Sequence, residues 1–483
     1  MSEEVTRFGV DAWPGSRGDE VSPPPAPGST HPFARHVAII GAGFSGALLA
    51  INLLRHDGPK VTLIERREVF GKGVAYSTAE DHHLLNVRAG NMSALPDEPD
   101  HFVEWLERQG GAPRQGFASR NEYGRYLNEL LEETVAASAG QLLLKRASAA
   151  SIEWRDSGGD VVLDDGERIS ADTVVLALGN LPPHDPAGLA DGHIPADIYT
   201  TDPWAADFTR DLASDDTVLI LGTGLTMVDA VLTLEGAGYG GKIVAMSRRG
   251  LLPRAHASVP ATYHPLVEKP AERGSALVRR VRQDANQIGW RGAIDALRPF
   301  SQALWLGATE VERKRFLRHL RAWWDVHRHR LAPQVAAQVE GLRANGRLRI
   351  VGGKLADVRV EEGGQALARY RPRHADGLER LKVRRIINCT GPQGNLLRSA
   401  EPLLQNLLQT GDICADRNSL GVDVNARSEV LDRDGTANPR LLAVGPLTRG
   451  AFWEIAAVPD IRVQVWSLAR RLTASHWVEG EGL

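Results

Sequence analysis

Apolar and polar positions fall into their clearest order between His36 and Glu65, HVAIIGAGFSGALLAINLLRHDGPKVTLIE. An apolar run, Val37 to Ile40, stops at a glycine turn. A segment of helical length follows, and a second apolar run, Val61 to Ile64, ends on Glu65. That succession predicts strand, turn, helix and strand. Val37 to Leu54 is uncharged over eighteen residues, the length of a membrane span. Its three glycines, serine and asparagine fit a buried βαβ unit better, and no membrane span is expected.

Downstream, periodicity predicts a short helix near His101 to Gln109 and another over Asn121 to Ala137, whose apolar face is Tyr123, Tyr126, Leu127, Leu130, Leu131 and Val135. Alternating strands run from Leu142 to Leu163, with a turn at Asp164 to Gly166, and Thr173 to Leu178 reads as a buried strand. A second strand, glycine turn, helix and strand begins at Thr217. From Leu251 to about Asn345 the pattern is largely helical. There Leu317, Leu320, Trp324 and His327 predict an apolar stripe, and Lys314, Arg318, Arg321, Asp325 and Arg328 a solvated charged face. Trp305, Trp323 and Trp324 are expected in the core. Short strands resume at Arg347 and reach RRIINCTGP (384 to 392), and the chain closes with a strand, a glycine turn and a helix from about Pro459.

The fold class this predicts is α/β, with two Rossmann-like dinucleotide-binding domains and a helical insertion. The expected organisation is a disordered tail at 1–35, rich in proline; a discontinuous first domain of 36–200 plus 346–483; and a second domain of 215–345 carrying the helical insert 251–345.

Gly41, Gly43 and Gly46 have G-x-G-x-x-G spacing directly after a strand. The first glycine permits the tight turn, the second lets amides approach a pyrophosphate, and the third lets helix and sheet pack closely. Glu65, nineteen residues past Gly46, stands where a carboxylate accepts ribose hydroxyls. In the second unit Gly222 and Gly224 hold the first two glycine positions, and Met227 replaces the third. Its second strand ends on Ser247, Arg248 and Arg249 instead of an acid, and arginines there favour a 2′-phosphate, hence NADPH over NADH. The irregular stretch from Arg66 to about His101 is of the kind that packs against a ligand.

Composition narrows the remaining choices. The 483 residues carry a net charge of −3 with 24% charged residues, which gives no reason to expect nucleic acid. Cys389 and Cys414 are the only cysteines, so there is no dithiol motif, and a reducing, cytoplasmic setting is expected. Histidines at 319, 327 and 329 lack an acid or cysteine at ligand spacing, so no metal site is expected. Residues 1 to 35 have six prolines and no apolar core of a signal peptide.

The paired strand-glycine segments VVLALGN (174 to 180) and IINCTGP (386 to 392) resemble those of two-dinucleotide-binding-domain flavoproteins. GAGFSGALLA (41 to 50), GKGVAYST (71 to 78), HHLLNVRAGNMSALPDEPDHFVEWL (82 to 106), LGTGLTMVD (221 to 229), SRRG (247 to 250), FLRHLRAWWDVHRHRLAP (316 to 333) and FWEIAAVPDIR (452 to 462) are similar to a bacterial FAD/NAD(P)-binding family that includes flavin-dependent urate hydroxylases and aspartate N-monooxygenases. The resemblance implies FAD on Gly41, Gly43, Gly46 and Glu65, and NADPH on Gly222, Gly224, Arg248 and Arg249. It also implies that Leu85, Asn86, Val87, Met92 and Ser93, together with Gly445, Trp453 and Glu454, lie against the flavin. The linker IYTTDPWAADF (198 to 208) keeps only Trp204 of the Baeyer-Villiger motif, which argues against that chemistry.

The activity implied is an NADPH-consuming monooxygenase that oxygenates a small polar, anionic substrate with O2 through a flavin C4a-hydroperoxide. That route needs no dedicated acid, base or nucleophile, and no catalytic residue is assigned. A flavin reductase passing electrons to a quinone or protein acceptor, and a catalytically idle nucleotide-binding module, stay open as alternatives.

Overall fold

The computed structural model describes residues 34–78, 80–189, 194–258 and 266–473. Nearly all of the tail expected at 1–35 lies outside these residues. Among them, no helix is long and apolar enough to cross a membrane.

Two sheets organise the chain. The first has six strands in the order Glu429–Leu431, Ala437–Ala443, Thr173–Leu176, His36–Ile40, Lys60–Glu65 and Leu142–Arg146. The second has seven, in the order Glu379–Val383, Gln365–Pro372, Leu348–Glu361, Lys242–Ser247, Thr217–Leu221, Arg385–Asn388 and Tyr199–Thr200. In each, the strand preceding the glycine turn lies in the middle, flanked by two parallel partners. Strands buried on both faces read as continuous apolar runs, which is why Val37 to Ile40 and Val218 to Leu221 do not alternate.

The two units repeat one plan. Leu142–Arg146 lies parallel beside Lys60–Glu65, and Leu348–Glu361 lies parallel beside Lys242–Ser247. The chain then makes an antiparallel meander, Ala149–Arg155 to Arg168–Ala171 in the first unit and Leu348–Glu361 to Glu379–Val383 in the second. It returns to the central strand through Thr173–Leu176 and Arg385–Asn388 respectively.

This overturns the expected boundary at 346. Residues 348–388 complete the second sheet, and only the chain beyond them returns to the first. Each glycine-turn strand has two edges to fill, and IINCTGP fills the edge of Thr217–Leu221, with Ile386 opposite Leu219.

The helices Phe44–Arg55, Arg120–Ala137 and Val458–Leu472 share one core with the first sheet. Leu225–Gly236 and Pro333–Ala344 cover the second. The insert runs from the helix Gly274–Leu297 to Arg321–Arg328 and differs from the periodic stripe read in the sequence. A π-turn at Phe316–Leu320 shifts the register by adding a residue to the turn, so the buried side chain of the last helix is Val326. Trp305 is buried as expected, whereas Trp323 is 43% exposed.

Candidate functional site

At the first glycine turn, Gly41 has φ of +101°, and a Cβ there would stand 2.5 Å from the Ala177 carbonyl oxygen. Only glycine meets both demands. A Cβ on Gly46 would overlap the Gly41 carbonyl, so the close helix-to-turn packing is also literal. Gly43 is the N-cap of Phe44–Arg55 and contributes no side-chain cap, and the first helical turn holds no acidic residue. Its leading amides therefore have no intrahelical acceptor, the arrangement that accepts a phosphate. Glu65 closes the turn: its Oε2 accepts from Ala42 N at 2.9 Å and its Oε1 from Arg67 N at 3.0 Å. These residues fit an FAD pyrophosphate and ribose.

The second turn repeats the first. Gly222 has φ of +118°, and a Cβ there would overlap the Cys389 carbonyl. Gly224 caps Leu225–Gly236 with no side-chain bond and faces open space. Met227, in the third position, is fully buried. Ser247 and Thr223 lock the following turn. The Thr223 hydroxyl donates to the Leu251 carbonyl at 2.6 Å, Ser247 Oγ meets Thr223 Oγ1 at 2.8 Å, and Gly250 N donates to Ser247 Oγ at 3.0 Å. Arg248 is exposed and has no partner among the described residues. Arg249 differs from its sequence assignment, because its Nη2 donates to the carbonyls of Arg318 at 3.1 Å and His319 at 3.2 Å. It ties the turn to the insert.

Two of the residues assigned to the flavin contribute no free atom. Met92 is 2% exposed inside the first core. Ser93 Oγ is engaged with the carbonyls of Leu95 and Glu98 and the amide of Leu95, so it shapes its own loop. Asn86 is half-buried, and its carbonyl accepts from His256 Nε2 at 3.0 Å, which joins the loop to the insert. Burial lowers the His256 pKa to about 4. Gly445 arrives from the far end of the chain at the first turn, where a Cβ would overlap Ser45 Oγ, and its amide donates to Gln464 Oε1 at 2.8 Å.

Trp453 lies in the seam between insert and C-terminal segment. Its ring stacks on Trp305 with centroids 4.6 Å apart, and its amide donates to Gln302 Oε1 at 2.8 Å. Beside it Glu454 accepts from Trp324 Nε1 at 3.0 Å and faces Arg328 Nε at 3.1 Å, with side chains 7% and 11% exposed. Burial alone would raise the Glu454 pKa, but Arg328 and His329 outweigh it and hold the carboxyl below its ordinary range. Arg449, Arg298, Asp325 and Asp460 crowd the same seam. The charged face read as solvated in the sequence therefore turns inward at Asp325 and Arg328. Periodicity carries no signal for such a residue, since a buried arginine and an exposed one look alike.

Sequence reading also missed the contact between units. Arg120 Nη2 meets Asp229 Oδ2 at 2.9 Å, and His83 Nε2 donates to the Asp229 carbonyl at 3.2 Å. A narrow crevice lined by Asn86, Arg120, Leu225, Asp229, Leu331 and Val335 runs along this boundary.

Residues 38–181 match a family model described as FAD-NAD(P)-binding. Among curated proteins, an uncharacterized protein of Escherichia coli, YdhS, is 21% identical over 48% of this chain. The FAD-binding monooxygenase ausC of Emericella nidulans is 24% identical over 51% of it. The matched stretches span 49% and 38% of those two relatives. Among solved structures, the ornithine N-hydroxylase of Kutzneria sp. 744 aligns at TM-score 0.62 and 14% identity, over 92% of this chain and 100% of that one. A cadaverine monooxygenase of Erwinia amylovora aligns at 0.63 and 13%, over 93% and 97%. L-lysine 6-monooxygenase of Pseudomonas syringae aligns at 0.60 and 16%, over 91% and 99%. At these identities the structures speak for the fold. Residues 38–181 thus match the FAD-NAD(P)-binding family model, in a chain with the fold of the two-dinucleotide-binding-domain flavoproteins.

Proposed function

We propose that the protein is an FAD-dependent, NADPH-consuming monooxygenase that oxygenates a small, polar, anionic molecule by N-oxygenation or hydroxylation. The observation that carries this reading is the doubled turn: two uncapped helix N-termini, after Gly43 and after Gly224, each following an interior strand of its own sheet. One chain then holds a flavin and its hydride donor. Structural neighbours that hydroxylate ornithine or oxygenate cadaverine and lysine support the reaction type.

When bound, FAD supplies the redox chemistry with O2, and the protein supplies position and dryness. The amides behind Gly43 bind the pyrophosphate, and Glu65 orients the ribose. Gly222 and Gly224 seat NADPH, while Arg120, Asp229 and His83 hold its unit against the first. Trp305, Trp453 and Phe316 pack into an apolar wall that excludes water. Anion preference rests on the seam, where Arg449 lies over the Trp453 ring at 4.8 Å, close to Arg321.

The test supplies isotopic oxygen gas and NADPH to the purified flavoprotein with candidate anionic substrates, urate and aspartate first. Labelled product with NADPH and O2 consumed one for one supports the reading. No label in any product, with fast anaerobic turnover of a quinone, replaces it with a flavin reductase.

A further inference from the structure

The Arg248–Arg249 turn is the edge of a larger basic surface. In the parallel ladder Ser247 lies opposite Gly352. Across the next, antiparallel, pairing Gly353 lies opposite Pro372, and the amide of Arg373 donates to the Gly352 carbonyl at 2.7 Å. A Cβ on Gly352 would stand 3.5 Å from the Arg249 carbonyl and 3.7 Å from Arg373 Cβ. Gly352, without a side chain, thus leaves the space between the turn and Arg373 clear. Two ladder steps, about 10 Å of backbone separation, divide Ser247 from Arg373. Two arginines reaching from either side can close that gap over one phosphate.

The three arginines differ in what they already hold. Arg249 is committed to the Arg318 and His319 carbonyls. Arg248 and Arg373 are both exposed, and neither side chain has a hydrogen bond, ion pair or ring contact among the described residues. Elsewhere on the same meander an arginine finds an acid: Arg369 pairs with Asp357 in a bidentate contact. Arg248 and Arg373 thus stand uncompensated beside the end of Lys242–Ser247, where the ribose of a dinucleotide arrives. The turn itself is held by Thr223 and Ser247, so Arg248 starts from a fixed backbone.

We infer that Arg373, from the meander, and Arg248 together form the 2′-phosphate cradle of the second unit, with Arg249 a tie to the insert. This rests on the NADPH reading of that unit. It adds a residue more than a hundred positions from the glycine turn, and it removes one of the two arginines that the motif alone assigns.

The test is calorimetric titration of the FAD-loaded protein with adenosine 2′,5′-bisphosphate and with 5′-AMP, which differ only in the 2′-phosphate. Wild type is expected to bind the bisphosphate at least tenfold more tightly. Arg248→Ala and Arg373→Ala should each weaken the bisphosphate roughly ten- to a hundredfold and leave 5′-AMP unchanged. Arg373→Lys should recover part of the loss, and Arg249→Ala should keep the ratio. Unchanged melting temperatures and flavin content confirm that the variants are folded. If Arg248→Ala abolishes discrimination and Arg373→Ala does not, Arg373 is a solvated surface residue and the inference is overturned while the NADPH reading stands. If wild type does not distinguish the two ligands, the NADPH reading fails, and the cradle with it.

Discussion

Arg120 and Asp229 pair at 2.9 Å across the boundary of the two nucleotide units, with side chains only 17% and 9% exposed. Asp229 sits on the helix that starts at Gly224, and Arg120 is the first residue of Arg120–Ala137. Trp204 of the linker covers the pair, its ring 5.7 Å from the Arg120 guanidinium. The two glycine turns are thereby held in one relative orientation. Arg120→Ala leaves Asp229 charged and enclosed, a loss of about 3 kcal/mol at the lower end of the range for a broken buried pair. Anaerobic rapid mixing should show slower flavin reduction by NADPH, with FAD content unchanged. Wild-type stability and reduction rate in the variant would refute a clamp.

The two turns respond differently to a single methyl group. At Gly46 a Cβ collides with the backbone of Gly41, so Gly46→Ala should yield little folded, flavin-loaded protein. At Gly224 the added methyl meets no protein atom within 4 Å, and φ of −88° suits any residue. Gly224→Ala should keep its melting temperature and its flavin, and lose about tenfold or more in NADPH affinity, because the methyl occupies the approach to the pyrophosphate. Flavin absorbance and NADPH titration read both effects. An unaltered affinity would remove Gly224 from the nucleotide site.

The contrast shows what was legible in the residues. Gly41 and Gly222 announce themselves because positive φ and a neighbouring carbonyl exclude every other side chain, so motif and geometry coincide. The allegiance of IINCTGP was not legible, since an apolar strand records that it is buried but not which sheet buries it. Arg328 and Asp325 follow the spacing of an exposed face, and only the docking of 449–462 turns that face inward. The π-turn at Phe316–Leu320 breaks the 3.6-residue period on which such a reading depends. Asn86 and Gly445 were placed by resemblance, and their contacts to His256 and Ser45 appear only when distant segments meet.

Glu454 offers a test of whether the seam is architecture alone. Glu454→Gln keeps an acceptor for Trp324 but leaves Arg328 enclosed without its counter-charge, which should cost about 3–5 kcal/mol. Replacing both, Arg328→Met with Glu454→Leu, removes the stranded charge and should recover most of the stability. Urea midpoints measure this. If the double variant is as unstable as the single, the pair is not the source of the loss. A stable double variant that no longer turns over substrate would assign the seam to recognition as well.

Acid should weaken the fold through histidines that are enclosed in the neutral form. Burial is the first cause of the lowered pKa at His83, His256 and His329, and His329 falls to about 3. At His256 the Asn86 carbonyl and Asp295 favour the charged form, whereas Arg330 and Arg88 oppose it, and burial prevails to give about 4. The unfolded chain binds the proton near pH 6.5, so between 6.5 and 4 it holds more protons than the native state, and stability rises with pH across that window. His256 alone then contributes a loss of about 2 kcal/mol on going from pH 7.5 to 5, nearly flat above pH 7 and below pH 4. His256→Gln retains a donor for the Asn86 carbonyl without the titration. Its urea midpoint should therefore fall less steeply than that of wild type over pH 7.5 to 5, with slope remaining from the other histidines whose pKa burial lowers, His36, His56, His83, His184 and His329. Parallel slopes in the two proteins would mean that His256 titrates alike in the folded and unfolded chains.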